Sequence, residues 1–298
     1  MPDRRASSLT TIDAILNSRI GPRFFEDDRV RWRHGRKNRP GKTMAKADSE
    51  LRNLVNLLRR LGQRDDDALD LADKLAGCST EEPCVSGACP RCGLAAQRLM
   101  VHAARRLIRR DDGDWVMVTA VHARSIIRCG DLADHDPFEP LRRQARRALR
   151  EVRARAFGGL ELSANEHQRG LFQPHYAPHF HIFGRADKMR RGEDLFRAHF
   201  PAMRWTPQPV VIKDFDKRSR GLAYAVKPDL HRRDTLTRRV KSDGTLSGYS
   251  TRVKPIRQPE RLELALALDQ AGLDARVFLH GFALVVRNDA VELVPTRS

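Results

Sequence analysis

Pro178-His179-Phe180-His181-Ile182-Phe183 is the stretch from which the rest of the chain is best read. Its alternation predicts a strand over 179–183 that sends His179 and His181 to one face and Phe180 and Ile182 to the other. Two imidazoles side by side on a rigid strand can share one cation. Upstream, Leu160-Glu161-Leu162 lies in a second expected strand, 160–164, after Gly158-Gly159. There the Glu161 carboxylate points away from two core leucines, towards the face the histidines share. Two imidazoles and a carboxylate with open positions suit Mg2+ or Mn2+ acting on a phosphate oxygen. Glu166, His167 and His175, read as loop residues between the strands, are alternative third ligands.

Downstream comes Gly221-Leu222-Ala223-Tyr224-Ala225-Val226-Lys227-Pro228, in an expected helix over 219–227 that Pro228 stops. Spacing of i, i+3 puts Lys227 on the same helical face as the Tyr224 phenol. A phenol is a poor nucleophile at neutral pH, so it needs a polarised phosphate to attack and a nearby cation. Between these motifs the β-branched run 115–121 predicts a strand, 193–199 a helix and 210–215 another strand. The helix opened by Asp136-Pro137 is expected to bury Phe138, Leu141, Ala145, Leu149, Val152 and Ala156, with seven arginines from Arg142 to Arg155 on its other faces. The expected fold is α+β, a central antiparallel sheet with flanking helices, preceded by a helical region with four clustered cysteines.

Those cysteines, Cys78, Cys84, Cys89 and Cys92, lie within 15 residues and end in the tight Cys-Pro-Arg-Cys-Gly. Four thiolates satisfy tetrahedral Zn2+, so a structural zinc is expected, presenting Arg91 and Arg98 to a phosphate backbone. Cys129 stands apart as an ordinary buried thiol.

With 56 Lys and Arg against 38 Asp and Glu, the net charge of +18 far exceeds the magnitude of ~2–8 that serves solubility in a small domain. It calls for a polyanionic partner. A 40% share of hydrophobic residues excludes a mostly disordered tail protein. No apolar run approaches the ~20 residues of a membrane helix, and the N-terminus has no secretory signal, so a soluble cytoplasmic protein with reduced thiols is expected. Four regions are anticipated: a basic arm or linker, 1–48; a helical region with the four-cysteine zinc site, 49–113; a catalytic sheet domain, 114–230; and a basic linker with a small C-terminal α/β segment, 231–298.

The order of these features resembles the HUH endonuclease superfamily, above all the rolling-circle replication initiators of plasmids and phages and the related rolling-circle transposases. The motifs are a Cys-x4-Cys-Pro-x-Cys end, a strand with Val118-Thr119, a Glu strand, a His-hydrophobic-His strand and Tyr-x-x-Lys, covering roughly 78–229. The resemblance implies that His179, His181 and Glu161 hold the divalent ion. It further implies that Tyr224 attacks the scissile phosphate of single-stranded or hairpin origin DNA, leaving a 5′-phosphotyrosine and a 3′-OH, and that Lys227 assists. Pro228 stands where many members carry a second tyrosine, so a single-tyrosine scheme follows; Tyr249 could serve only by folding back. The family's histidine just upstream of the pair is displaced, with Ala177 two residues before His179 and His175 four before. Phe172, Phe180 and Trp205 are candidates to stack unpaired bases, and the C-terminal segment is open to a DNA or a host-helicase role. A zinc-containing DNA-binding protein without catalysis is the competing reading.

Overall fold

The computed structural model describes residues 10–26, 42–63, 65–168, 170, 172–203, 206–240, 242 and 246–296, except the side chains of 237–240 and 246–249. The basic stretch up to Gly41, Trp205 and the Tyr249 side chain lie outside the described residues.

Two short helices, α1 (Ile12–Leu16) and α2 (Pro22–Glu26), open the described chain. They bury Ile12, Ile15, Leu16, Phe24 and Phe25, so this part of the expected arm belongs to the core. Helix α3 (Met44–Leu61) is capped by the Thr43 hydroxyl, and Gly62 follows its last turn. Helix α4 (Asp66–Ala76) is capped by Asp65. Helix α5 (Pro90–Arg109) starts at Pro90, a residue suited to the first helical position. Cys92 is therefore a helical residue.

The strands are β1 (Trp115–Val121), β2 (Ile127–Arg128), β3 (Ala156–His167), β4 (His175–Arg185), β5 (Val210–Asp214), β6 (His231–Val240), β7 (Leu246–Lys254), β8 (Val277–His280), β9 (Phe282–Arg287) and β10 (Ala290–Pro295). Interleaved are α6 (Glu139–Glu151), α7 (Ala186–Arg191), α8 (Glu193–His199), α9 (Ser219–Ala225) and α10 (Gln258–Ala271). Helix α6 stops at Glu151, so Ala156 is not one of its apolar positions but the first residue of β3. The α+β class stands, with a correction: the main sheet runs β5-β1-β4-β3-β6-β7, and β3 pairs with β6 in parallel, so the sheet is mixed. Most of the expected basic linker from 231 onward is the β6–β7 ribbon, in which Arg232 lies opposite Lys254 and Asp234 opposite Arg252. The strands of the expected C-terminal α/β segment divide: β8 joins the main sheet beside β3, while β9 and β10 pair with each other.

Strand alternation gives the sheet two cores. On one face Val116, Val118, Leu160, Leu162, Phe180 and Ile182 pack beneath α6, α8 and α10. On the other, Trp115, Phe157 and Phe183 pack beneath α5, α9 and the β9–β10 hairpin. Phe180 is thus core, not a stacking platform. The second face continues along the strands to Thr119, Glu161, His179 and His181. Gly158 and Gly159 fall inside β3, not before it, with Gly159 opposite His181. A Cβ on Gly159 would collide with the Ala225 carbonyl oxygen, so its lack of a side chain is what lets α9 lie on the sheet here. No helix among the described residues is long and apolar enough to cross a membrane.

Candidate metal centre and tyrosine site

Glu161 faces His179 directly across the β3–β4 pair, and Thr119 of β1 faces His181 from the other side. All three acid and imidazole side chains are buried. His179 Nε2 lies 3.3 Å and His181 Nε2 3.6 Å from Glu161 Oε2. Neither ring nitrogen has a hydrogen-bond partner in the protein, and Glu161 Oε2 has only the Lys227 ammonium beside it. The opposite ring atoms are engaged: His179 Nδ1 with the Ala177 carbonyl at 3.1 Å, and His181 Nδ1 with the Thr119 hydroxyl at 2.8 Å. A carbonyl can only accept, so a neutral His179 carries its proton on Nδ1 and turns the Nε2 lone pair towards Glu161.

Burial, with the Lys227 charge acting in the same direction, pushes the His181 imidazole down to about 4, so it is neutral at neutral pH. Burial acts to raise Glu161, but His179, His181 and Lys227 outweigh it and hold the carboxyl well below its usual range. Two imidazoles and one carboxylate, buried with their Nε2 and Oε2 atoms turned to one another, fit a divalent cation. The donor atoms lie within 4.8 Å of one another.

The alternative third ligands go elsewhere. Glu166 and His167 end β3, and His175 begins β4, instead of lying in a loop. Glu166 pairs with Arg232 and Arg257. The rings of His167 and His175 pack against Phe172, and His175 Nδ1 meets the Gln173 carbonyl at 2.9 Å.

Tyr224 projects from α9, its ring centred 4.8 Å from that of His181. It is one of four exposed large hydrophobic side chains among the described residues. The helix ends at Ala225, two residues before Lys227, because a residue preceding proline disfavours helical backbone. Lys227 reaches Tyr224 all the same, with Nζ 4.4 Å above the ring, and lies 3.0 Å from Glu161 Oε2. Helix α9 is fixed from behind: Gln97 of α5 donates to the Ala223 carbonyl at 2.7 Å, and Gly93 admits Pro228. Buried Arg276 donates to the carbonyls of Lys227 and Pro228, both at 3.1 Å. The supporting parts played by Thr119, Gln97 and Arg276 have no local sequence signal, since each depends on a partner at least 48 residues away.

The four cysteines gather with Sγ separations of 3.6 Å (Cys78 to Cys92), 3.8 Å (Cys84 to Cys92) and 3.7 Å (Cys78 to Cys89). Bonds of ~2.3 Å to a tetrahedral Zn2+ put sulfurs about 3.8 Å apart, whereas a disulfide needs about 2 Å. The cluster can therefore hold a structural metal such as zinc. Arg91 and Arg98 do not face a phosphate backbone. Arg91 bonds the Cys78 carbonyl and Thr80 hydroxyl, and Arg98 is buried against the carbonyls of Phe24 and Phe25. Cys129 lies apart from the cluster, its thiol pushed up to about 11 by burial with help from Glu260 and Glu263.

Comparison with family models, with curated proteins and with solved structures yields no match. Function therefore rests on the geometry of the two clusters and the tyrosine beside them.

Proposed function

We propose that this protein is a metal-dependent, single-tyrosine nickase and ligase of single-stranded DNA, of the HUH type, that initiates rolling-circle replication. The observation that carries the reading is the packing of Tyr224 against His181, with Lys227 spanning the tyrosine ring and the Glu161 carboxylate. A phenol held half in solvent beside a buried two-histidine, one-carboxylate cradle is poorly explained as core packing. It is well placed to meet a phosphodiester.

Glu161, His179 and His181 would hold Mg2+ or Mn2+, which when bound supplies Lewis-acid polarisation of a phosphate oxygen. Thr119 and the Ala177 carbonyl orient the two imidazoles. Tyr224 Oη forms a bond to phosphorus and gives up its proton as the P–O3′ bond breaks. The 3′-oxygen takes up a proton and leaves a free 3′-OH, with the 5′-phosphate on the tyrosine. Lys227 neutralises charge that builds on the phosphoryl oxygens. Attack by a 3′-OH on the phosphotyrosine reverses the step and reseals or transfers the strand. The net charge of +18 supports a nucleic-acid substrate.

The test is a covalent-adduct assay with purified protein, Mn2+ and single-stranded fragments of its replication origin. Adduct should form, vanish with EDTA and be abolished in Tyr224→Phe. An adduct undiminished in that variant rejects the assignment. DNA binding that survives EDTA with no nicked product in the wild type identifies a non-catalytic binder.

A further inference from the structure

Helix α6 packs Leu141, Ala145, Ala148 and Leu149 onto the sheet face opposite the cradle, over Val116, Val118, Phe180 and Ile182. Its outer side carries Arg143, Arg146, Arg147 and Arg150, all exposed. Their i, i+3, i+4, i+7 spacing forms one row about 10 Å long. The acids of the helix are committed elsewhere, Glu139 to Arg142 and Glu151 to His199. Among the described residues no acid pairs with the row. Like charges so spaced weaken a helix, so the row works against the fold it sits on.

The row runs into a recess of about 680 Å3 at the strand ends where Trp115 pairs with Arg185. Arg150, Arg153, Arg155, Arg185, Lys188 and His280 line it against a single acid, Asp111, which Arg185 neutralises. Its wall includes the buried Trp115, whose indole N–H has no hydrogen-bond partner in the protein. Six residues of β4, about 20 Å, separate Arg185 from His179.

We infer that the α6 arginine row and this recess form a second nucleic-acid surface, one that grips the phosphate backbone of duplex DNA while the opposite face works on the single strand. The choice of DNA as the polyanion rests on the nickase reading; the surface itself does not. Duplex is favoured over single strand because, among the described residues, the row carries no aromatic side chain and the recess aromatics, Trp115 and Phe282, are buried and half-buried. Among the described residues the exposed large hydrophobic ones are Leu61, Leu195, Tyr224 and Val253, none in the row or the recess. Single strands are held largely by base stacking, whereas duplex phosphates need only positioned cations.

The experiment measures binding of the full chain to a blunt 30-base-pair duplex and to a 30-nucleotide single strand as salt is varied, by fluorescence anisotropy in EDTA. Replacing Arg143, Arg146, Arg147 and Arg150 with Gln should flatten the log K against log salt slope for the duplex by about 3–4 and weaken binding roughly tenfold or more. Single-strand binding and Tyr224 adduct formation on a short oligonucleotide should be retained. A second variant at the other end of the surface, Arg150→Gln with Arg153→Gln and Lys188→Gln, should act in the same direction. An unchanged duplex slope in both overturns the inference, and an equal loss on the single strand overturns the duplex assignment. Tyr224→Phe should bind duplex as the wild type does, so failure of the nicking chemistry is distinguishable from failure of this surface.

Discussion

Gly159 and Ala225 meet backbone to backbone, with the Ala225 carbonyl occupying the space a Cβ on Gly159 would need. Because Gly159 is the register partner of His181, this contact sets how closely the tyrosine helix approaches the metal cradle. Gly159→Ala should displace α9 while leaving every candidate ligand in place. Misplacement by about 1 Å can cost on the order of 100-fold in rate, and overpacking costs about 1–3 kcal/mol of stability. Adduct formation is expected to fall 10- to 100-fold, with Mn2+ affinity by calorimetry unchanged within about threefold. A variant with full adduct yield would show that the close approach is incidental to the tyrosine.

Thr119→Val removes the hydroxyl that meets His181 Nδ1 at 2.8 Å without changing side-chain shape much. Partners of this kind fix ring orientation and are typically worth about 10- to 100-fold in metal affinity. Mn2+ binding should weaken by that factor, and Thr119→Ser should restore it. Equal affinity in the Val variant would mean that β1 does not orient His181.

The parts of this site that can be read from sequence are those that strand periodicity governs locally. Alternation alone places His179, His181 and Glu161 on one face, and that alternation is what the β3–β4 register shows. The four cysteines are legible because their spacing is short. What escapes such a reading is long-range or context-dependent. The basic residues of 231–257 read as a linker because Arg and Lys are poor strand formers, yet pairing with β3 and with each other overrides that preference. Arg98 reads as a phosphate contact, but a guanidinium can be buried when backbone carbonyls such as those of Phe24 and Phe25 accept its protons. The short helices α1 and α2 hide in a segment dominated by its charge, and only tertiary packing stabilises helices of that length.

Cys89 caps α5 and Cys92 occupies its first turn, one residue before the Gly93 contact with Pro228 and five before Gln97, which holds Ala223. The cysteine cluster thus anchors the same helix end that supports the tyrosine. Cys92→Ser should lower bound zinc, measured by plasma mass spectrometry, from about one ion per chain towards none. It should also lower the melting temperature and reduce adduct formation even at saturating Mn2+. Retained adduct at wild-type rate in a zinc-free variant would separate the two clusters functionally.

Acid should destabilise the protein through His181 before it reaches the carboxylates. The folded imidazole is held to about 4 by burial, against an unfolded value near 6.5. Between these values the unfolded chain binds a proton that the folded chain refuses, so stability falls as pH drops through 6.5. Above 6.5 both states are neutral and the contribution is constant. Below about 4.5 the depressed Glu161 adds a loss of the same sign, because its stabilising charge is removed as pH falls towards its lowered folded value. Urea unfolding in EDTA at pH 7 and pH 5 isolates the first effect when wild type is compared with His181→Gln, which has no imidazole to protonate. The wild type should lose up to about 2 kcal/mol more than the variant over that interval. Identical losses would mean that His181 is protonated in the fold, and a protonated ring there would have no lone pair to offer a cation.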